Sequence, residues 1–591
     1  MYTHWSPVLL LPAVLVGAPA VPPSEAARLK VLLEDYFQAS LERSPILATA
    51  IGDDRYNDRF PNTLTPVFRE QSRVFFERWL KALGTLDREK LGGQDRLSHD
   101  ILKRELLEGL EGLRFPDHLL PLNQLGSVPV FMAQLGSGQS LQPFRNAKDY
   151  DDWLRRVEAM LAWMDQAKAN MQEGMAKGIV QPRAVMLKLV PQLQNLIVAD
   201  PEQSVFWGPL KAFPKDMSAA DQARITVAYR KAIAERIMPA YARLRDFVRD
   251  AYLPKCRDTV GFGALPDGQA WYAYQVRTQT TTRLAPAEIH EIGLKEVSRI
   301  LGEMEAVRRQ VGFPGDLKAF FRHLNTDPQF YYTKEADLLQ GYRDLQKRIN
   351  ALLPKLFDTF PKADYEVRPV EAFRAESAAG GSYQPGTPDG RRPGVFYVNT
   401  FNLKAQPRFG METLSLHEAS PGHHFQISIA QEVEDLPKFR RFGGYNAFAE
   451  GWALYAESLG KELGVFTDPY QWYGRLADEQ LRAMRLVVDT GLHSKGWTRE
   501  QAIAYMEANS SMADSDVVAE VERYIVWPGQ ALGYKLGQFA IRDLRTEAER
   551  ALGPRFDLRA FHRQVLIDGG LPLDVLQVKL REWIAREKAR S

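Results

Sequence analysis

YDDWLRRVEAMLAWMDQAKANMQEGMAK, residues 150–177, places Trp153, Val157, Met160, Leu161 and Met164 at steps of three and four. That spacing lays an apolar stripe along one face of an α-helix, with charged residues on the other face. The same texture extends in both directions. Residues 26–41 form a first amphipathic stretch, and residues 219–252 read as one long helix. Residues 286–311 form another, opened by Pro286 and broken near Gly312, and residues 333–360 a further long one. The Trp and Met residues of 153–164 are core at this spacing, not a cofactor-binding set. The texture changes only at residues 365–370 and 395–398, which read as short strands. Between them, residues 378–393 form a loop rich in Gly, Pro and Ser. Beyond Arg408 the pattern is helical to the end. The expected fold is all-α: a large helical body with a deep central cleft and one small β element (365–400) ahead of a His-rich segment.

The chain has 591 residues, enough for several domains. Gly, Pro and Thr cluster at 255–285 (GFGALPDG, TQTTT) and suggest a boundary between an N-terminal helical half, 21–280, and a C-terminal catalytic half, 281–591. Lys plus Arg is 76 and Asp plus Glu is 74, with no basic run, so a nucleic-acid partner is not expected. The sole cysteine, Cys256, excludes an internal disulfide and any zinc site built on two cysteines; its flanks mark it as an inert thiol. Residues 7–20, PVLLLPAVLVGAPA, are too short to span a bilayer and end in the small-x-small pattern Ala18-Pro19-Ala20. A signal peptide over residues 1–20, cleaved after Ala20, is expected, although the first basic residue is Arg28. The mature protein would then be periplasmic or secreted, with no stable membrane insertion. No cysteine follows the apolar run, so no lipid anchor is expected.

Three of ten histidines fall in one eight-residue window, His417-Glu418-Ala419-Ser420-Pro421-Gly422-His423-His424. Zinc hydrolases commonly use His-Glu-x-x-His, where ligands four apart share a helix face and the Glu acts as general base. Here the second His is six or seven residues on. On a regular helix His423 would lie about 240° round from His417, and His424 would share its face ~10 Å further along the axis. Pro421 and Gly422 resolve the mismatch by breaking the helix and absorbing two residues. His423 is therefore the preferred second ligand, with His424 as the lower-ranked alternative. A third ligand is expected from the segment 446–457: Glu450 sits among small and apolar residues, and Glu457 is either a support to a ligand or solvent-exposed. The expected ion is Zn2+, held by His417, His423 and Glu450, with Glu418 as base. Mn, Co or Fe also suit such ligands.

HEASPGHHFQ (417–426) followed by AFAEGWALYAE (447–457) resembles the bacterial family known as domain of unknown function 885. The resemblance extends to EIHEIGLKEV (288–297), GVFYVNT (394–400), DTGLH (489–493) and RYIVWPGQALGYKLG (523–537). It implies an all-helical, metallopeptidase-like scaffold with a channel between helical halves, similar in plan to peptidases that carry His-Glu-x-x-His and a downstream Glu ligand. The two inserted residues depart from those peptidases. So does Leu454, where some of them have an acidic residue.

Water attack on an amide develops an oxyanion that needs donors; His493, Tyr524 and Tyr534 are the candidates. Asp489, four residues before His493, is placed to orient its imidazole. Arg523 is a candidate for binding a substrate carboxylate. The edge of the strand carrying Tyr397 and Asn399 is a candidate for pairing with an extended peptide, and the loop with Tyr383 for closing over the cleft. His290 reads as structural. The expected function is an exported zinc hydrolase acting on peptides. The alternatives are hydrolysis of a small non-peptide amide or ester, and a non-catalytic peptide-binding envelope protein.

Overall fold

A computed structural model describes residues 23–375 and 378–590; the expected signal peptide, 1–20, lies outside the described residues. The chain is helical from Glu25 to Ala589, interrupted by one small sheet. The stretch read first is the helix Ala147–Lys177, capped by Asn146, whose side chain accepts from Asp149 N. The run 219–252 is helical throughout, but it widens into π-turns at Ile233–Ile237 and Phe247–Tyr252. Pro239 and Pro254, which lack an N–H, follow these two segments and account for them. The run 333–360 is shorter than expected: Glu335–Leu352 is α-helical, and a 3-10 turn follows at Pro354. No helix among the described residues is long and apolar enough to cross a membrane.

The β element has three strands where the sequence suggested two. β1 (Tyr365–Pro369), β2 (Gly381–Gln384) and β3 (Gly394–Val398) form a sheet in the order β1-β3-β2. β3 runs parallel to β1 and antiparallel to β2. β2 lies inside the expected Gly/Pro/Ser loop, because Gly-Ser-Tyr-Gln carries no apolar alternation to mark a strand. Both edges of β3 are occupied and all five of its residues are buried. Phe396 and Val398 pack with Leu338 and Tyr342 on one face, and Val395 and Tyr397 with Val370 on the other. β3 therefore has no edge left to pair with a peptide, a correction to that expectation.

The cores cross the expected half-way point. Leu29, Phe37 and Leu106 share one apolar cluster with Phe425, Trp452 and Ile584. A second cluster is built within 64–253 around Trp153 and Tyr241. A third gathers on the long helix Pro469–His493. Cys256 is half-buried, and burial pushes its thiol up to about 12, as suits an inert residue.

Two features lock the helices that carry the site. The helix Asn446–Ser458 crosses Gly533–Leu552 backbone to backbone: a Cβ on Gly451 would lie 2.4 Å from Gly537 Cα. Beside this crossing, buried Glu479 is shared by Lys535, Arg475 at 2.6 Å and Arg299 at 2.8 Å, joining three long helices. Burial alone would raise the Glu479 carboxyl, but the three cations overrule it and hold it at about 2.

Gly451→Ala, adjacent to Glu450, is expected to lower stability by about 1–3 kcal/mol through overpacking. Gly302→Ala, in a helix where a Cβ meets nothing within 4 Å, should gain about 0.5–1 kcal/mol; thermal unfolding checks the pair. Because the Glu479 carboxyl is depressed on folding, its stabilisation is present above the usual carboxylate range and is lost as pH falls from about 4.5 toward 2. Glu479→Gln should flatten that part of an acid-unfolding profile.

Candidate metal centre

The His-rich segment is a broken helix. Met411–Glu418 ends at Ala419, and His423–Glu432 begins after Ser420, Pro421 and Gly422. The break depends on Gly422, where a Cβ would lie 1.9 Å from His417 O and 2.4 Å from Leu416 O. Only a residue without a side chain lets the chain fold back onto the last turn of the His417 helix. His417 thus ends one helix, His423 starts the next, and their rings meet edge to face at 4.8 Å. Trp452 Nε1 donates to Pro421 O at 2.7 Å, tying the break to the helix that carries Glu450.

His417, His423 and Glu450 come together, and they are the one group of three among the described residues able to hold a metal ion. Glu450 Oε2 faces His417 Nε2 at 3.5 Å and His423 Nε2 at 3.3 Å, without the geometry of a hydrogen bond to either. Two ~2.1 Å bonds to a tetrahedral ion would hold their ends about 3.4 Å apart, so the spacing fits zinc-sized coordination. His417 Nδ1 donates to Glu457 Oε1 at 2.7 Å, which turns Nε2 toward the anionic oxygen of Glu450. A buried carboxylate oxygen facing two imidazole nitrogens favours a positive charge between them, a proton or a metal ion. The local field agrees. Burial would push His417 down, but Glu450 and Glu457 raise it to about 10. Burial would raise Glu450, but His423 and His417 hold it well below the usual carboxylate range. Glu457 is fully buried, so it is the support to a ligand rather than the solvent-exposed residue. Glu418, the next residue after His417, is buried at 8% exposure.

The other candidates divide. His424 points away from the triad: its Nδ1 bonds the Tyr383 hydroxyl at 2.9 Å, it lies against Tyr365, and burial lowers it to about 4. The lower-ranked ligand is thereby corrected, and Tyr383 sits in β2 holding His424 rather than in a free loop. His493 is not an available oxyanion donor. Its Nδ1 accepts from Phe262 N and its Nε2 donates to Tyr524 O, so both nitrogens serve backbone. Asp489 does not orient it; that carboxylate accepts from Tyr272 OH and Gly529 N. The Tyr524 hydroxyl is fully buried and donates to Glu520 at 2.5 Å, which removes it from the oxyanion donors as well. Tyr534 stays with the site: its ring lies nearly parallel to His417, centroids 6.3 Å apart, and its hydroxyl accepts from Arg523 at 2.9 Å. Asn399 spends its amide on Ala375 O, Ala378 O and Phe401 N, and Tyr397 is buried in the sheet. His290 is structural, bonded to Thr490.

A cavity of about 1490 Å³ is lined by residues of both halves, among them Gln124, Gln192, Ser204, Gly380, Asn399 and Glu522. The triad is not among its lining residues. Sequence reasoning passed over Arg482, Arg485 and Glu520, which surround Tyr534 and Tyr524. The available signal was Asp478, Arg482, Arg485 and Asp489 recurring along one face of a helix whose neighbours are apolar.

Fold and site together define an all-helical protein with a small sheet and a buried His/His/Glu cluster that could hold a metal ion. The chain belongs to the family described as "Bacterial protein of unknown function (DUF885)", which matches residues 45–580. It is similar to the crystal structure of a putative lipoprotein from Colwellia psychrerythraea, with 29% identity and a TM-score of 0.89 over 95% of this chain and 100% of that one. A putative lipoprotein of unknown function from Shewanella oneidensis shares the fold at 18% identity and a TM-score of 0.71, over 94% and 99% of the two chains. No curated protein matches.

Because Glu457 orients His417, a metal ion such as zinc held at this cluster is expected to bind about 10–100-fold more weakly in Glu457→Ala. Competition against a chelator measures this, and an unchanged affinity would remove Glu457 from the site.

Proposed function

We propose that the protein is an exported, zinc-dependent hydrolase, of the metallopeptidase kind, acting on a peptide or a small amide or ester. The observation that carries this reading is the buried cluster of His417 Nε2, His423 Nε2 and Glu450 Oε2, which could hold a cation, with a carboxylate, Glu418, directly beside His417. When bound, zinc supplies polarisation of a carbonyl and brings water's pKa toward ~7. The chain's own residues supply the rest. Glu418 takes the proton of the attacking water and returns it to the leaving amine. Glu457 holds the His417 ring so that Nε2 is the nitrogen presented for coordination. The Tyr534 hydroxyl accepts from Arg523, so its own proton is free to donate to the oxyanion that develops at the carbonyl. Export is supported by the Colwellia relative, itself described as a putative lipoprotein, and by the small-x-small end of the apolar run at Ala18-Pro19-Ala20.

Glu418→Gln is expected to keep one zinc per chain and to lose about 10²–10⁴-fold in turnover. Elemental analysis and mass-spectrometric scoring of a mixed peptide library read the two quantities. Turnover that survives in the Gln variant would reject Glu418 as the base.

A further inference from the structure

Three guanidinium groups surround the ring of Tyr534. Arg485 Cζ lies 4.3 Å from its centroid, Arg523 5.9 Å and Arg482 6.0 Å. Each has a buried nitrogen with no acceptor: Nη1 of Arg485, Nε of Arg523 and Nε of Arg482. Arg482 is otherwise engaged, with Asp478 at 2.7 Å and Glu457 at 3.7 Å. Arg485 and Arg523 share a single carboxylate. Arg485 donates to Glu520 through Nε and Nη2, at 3.2 and 2.9 Å, and Arg523 Nη1 lies 3.5 Å from the same group, which also accepts from Tyr524. Two fixed cations against one anion leave a net positive unit. Its orphan donors lie in a region where unpaired N–H groups are costly. Planar guanidinium groups of this kind match a carboxylate in two-pronged geometry.

The position of this unit narrows the source of the carboxylate. The Tyr534 ring contacts both this unit and His417, its centroid 6.3 Å from the imidazole. The two ring contacts limit the gap from the imidazole to the Arg485 guanidinium to about 11 Å, roughly three residues of extended chain.

We propose that Arg485 and Arg523 bind the C-terminal carboxylate of the substrate, so that the protein acts as an exopeptidase releasing one to three residues from the carboxyl end. This rests on the hydrolase reading above. The bond broken is an amide; the water oxygen goes to the acyl carbon and its proton to the released amine. Lysine at either position keeps the charge but loses the planar fork.

The test uses zinc-loaded Glu418→Gln protein and two random hexapeptide libraries of the same composition, one with free carboxyl ends and one amidated, with retention read by affinity selection and mass spectrometry. Free-acid peptides are expected to bind on the order of 100-fold more tightly, the scale of one charged hydrogen-bonded contact. Adding Arg485→Lys or Arg523→Lys should shrink that ratio while zinc content stays the same. The comparison between libraries needs neither arginine variant, so a variant that fails to fold does not decide it. Equal retention of the two libraries, or binding of neither, overturns the proposal. Selective retention of amidated peptides rich in Asp or Glu overturns it in favour of a side-chain carboxylate. Turnover of the free-acid library by the unmutated protein is scored separately. Its absence would fail the hydrolase reading and leave the retention result to stand on its own.

Discussion

The fold-back at Gly422 is the constraint on which the site depends. With a Cβ there colliding with His417 O at 1.9 Å, glycine alone lets the chain reverse within the four residues between the two helices. An unbroken helix would carry His423 about 240° away from His417. With the break, the two imidazoles face the same carboxylate at 3.5 and 3.3 Å. The neighbouring helix is held to the break by Trp452 donating to Pro421 O, and its height is set by the Gly451–Gly537 crossing. Three local contacts, each enforced by backbone sterics or a single buried hydrogen bond, thus place three ligand atoms within 4.8 Å of one another.

Much of this was legible in the sequence, for physical reasons. Helical periodicity is strong where one face is buried, so the helix at 147–177 was readable to within a few residues. The pair Pro421-Gly422 announced a break, and the break favoured His423 over His424. The family followed from long co-ordered motifs and holds across residues 45–580. What escaped is equally instructive. Gly381–Gln384 is a strand by pairing and not by pattern. The fate of His493 depended on Phe262, 231 residues away, which no local spacing reveals, whereas Tyr524 is taken up by Glu520 only four residues before it. Asp489 and His493 do lie four apart on one helix, but each is satisfied by a different neighbour. Same-face spacing establishes that two residues can meet, not that they do.

The electrostatics join the fold to the site. Glu479 serves three cations below the helix crossing, while Glu520 serves two guanidinium groups and a phenol beside Tyr534. For Glu520, burial would raise the carboxyl, but Arg485 and Arg523 hold it at about 2. Both carboxylates therefore stay ionised across the physiological range. They fix the long helix Pro469–His493, whose polar face turns toward the Tyr534 ring next to His417. This helix is buried on both sides, and its charged face is engaged in ion pairs that still leave Arg482 Nε and Arg485 Nη1 without acceptors.

The central claim is that a cation belongs between His417, His423 and Glu450. Anomalous diffraction from crystals grown with equimolar zinc, recorded above and below the zinc absorption edge, tests it most directly. The account predicts one strong peak, about 2.1 Å from His417 Nε2, His423 Nε2 and a Glu450 oxygen. A map with no peak at this triad, from crystals in which zinc is bound elsewhere or not at all, would contradict it.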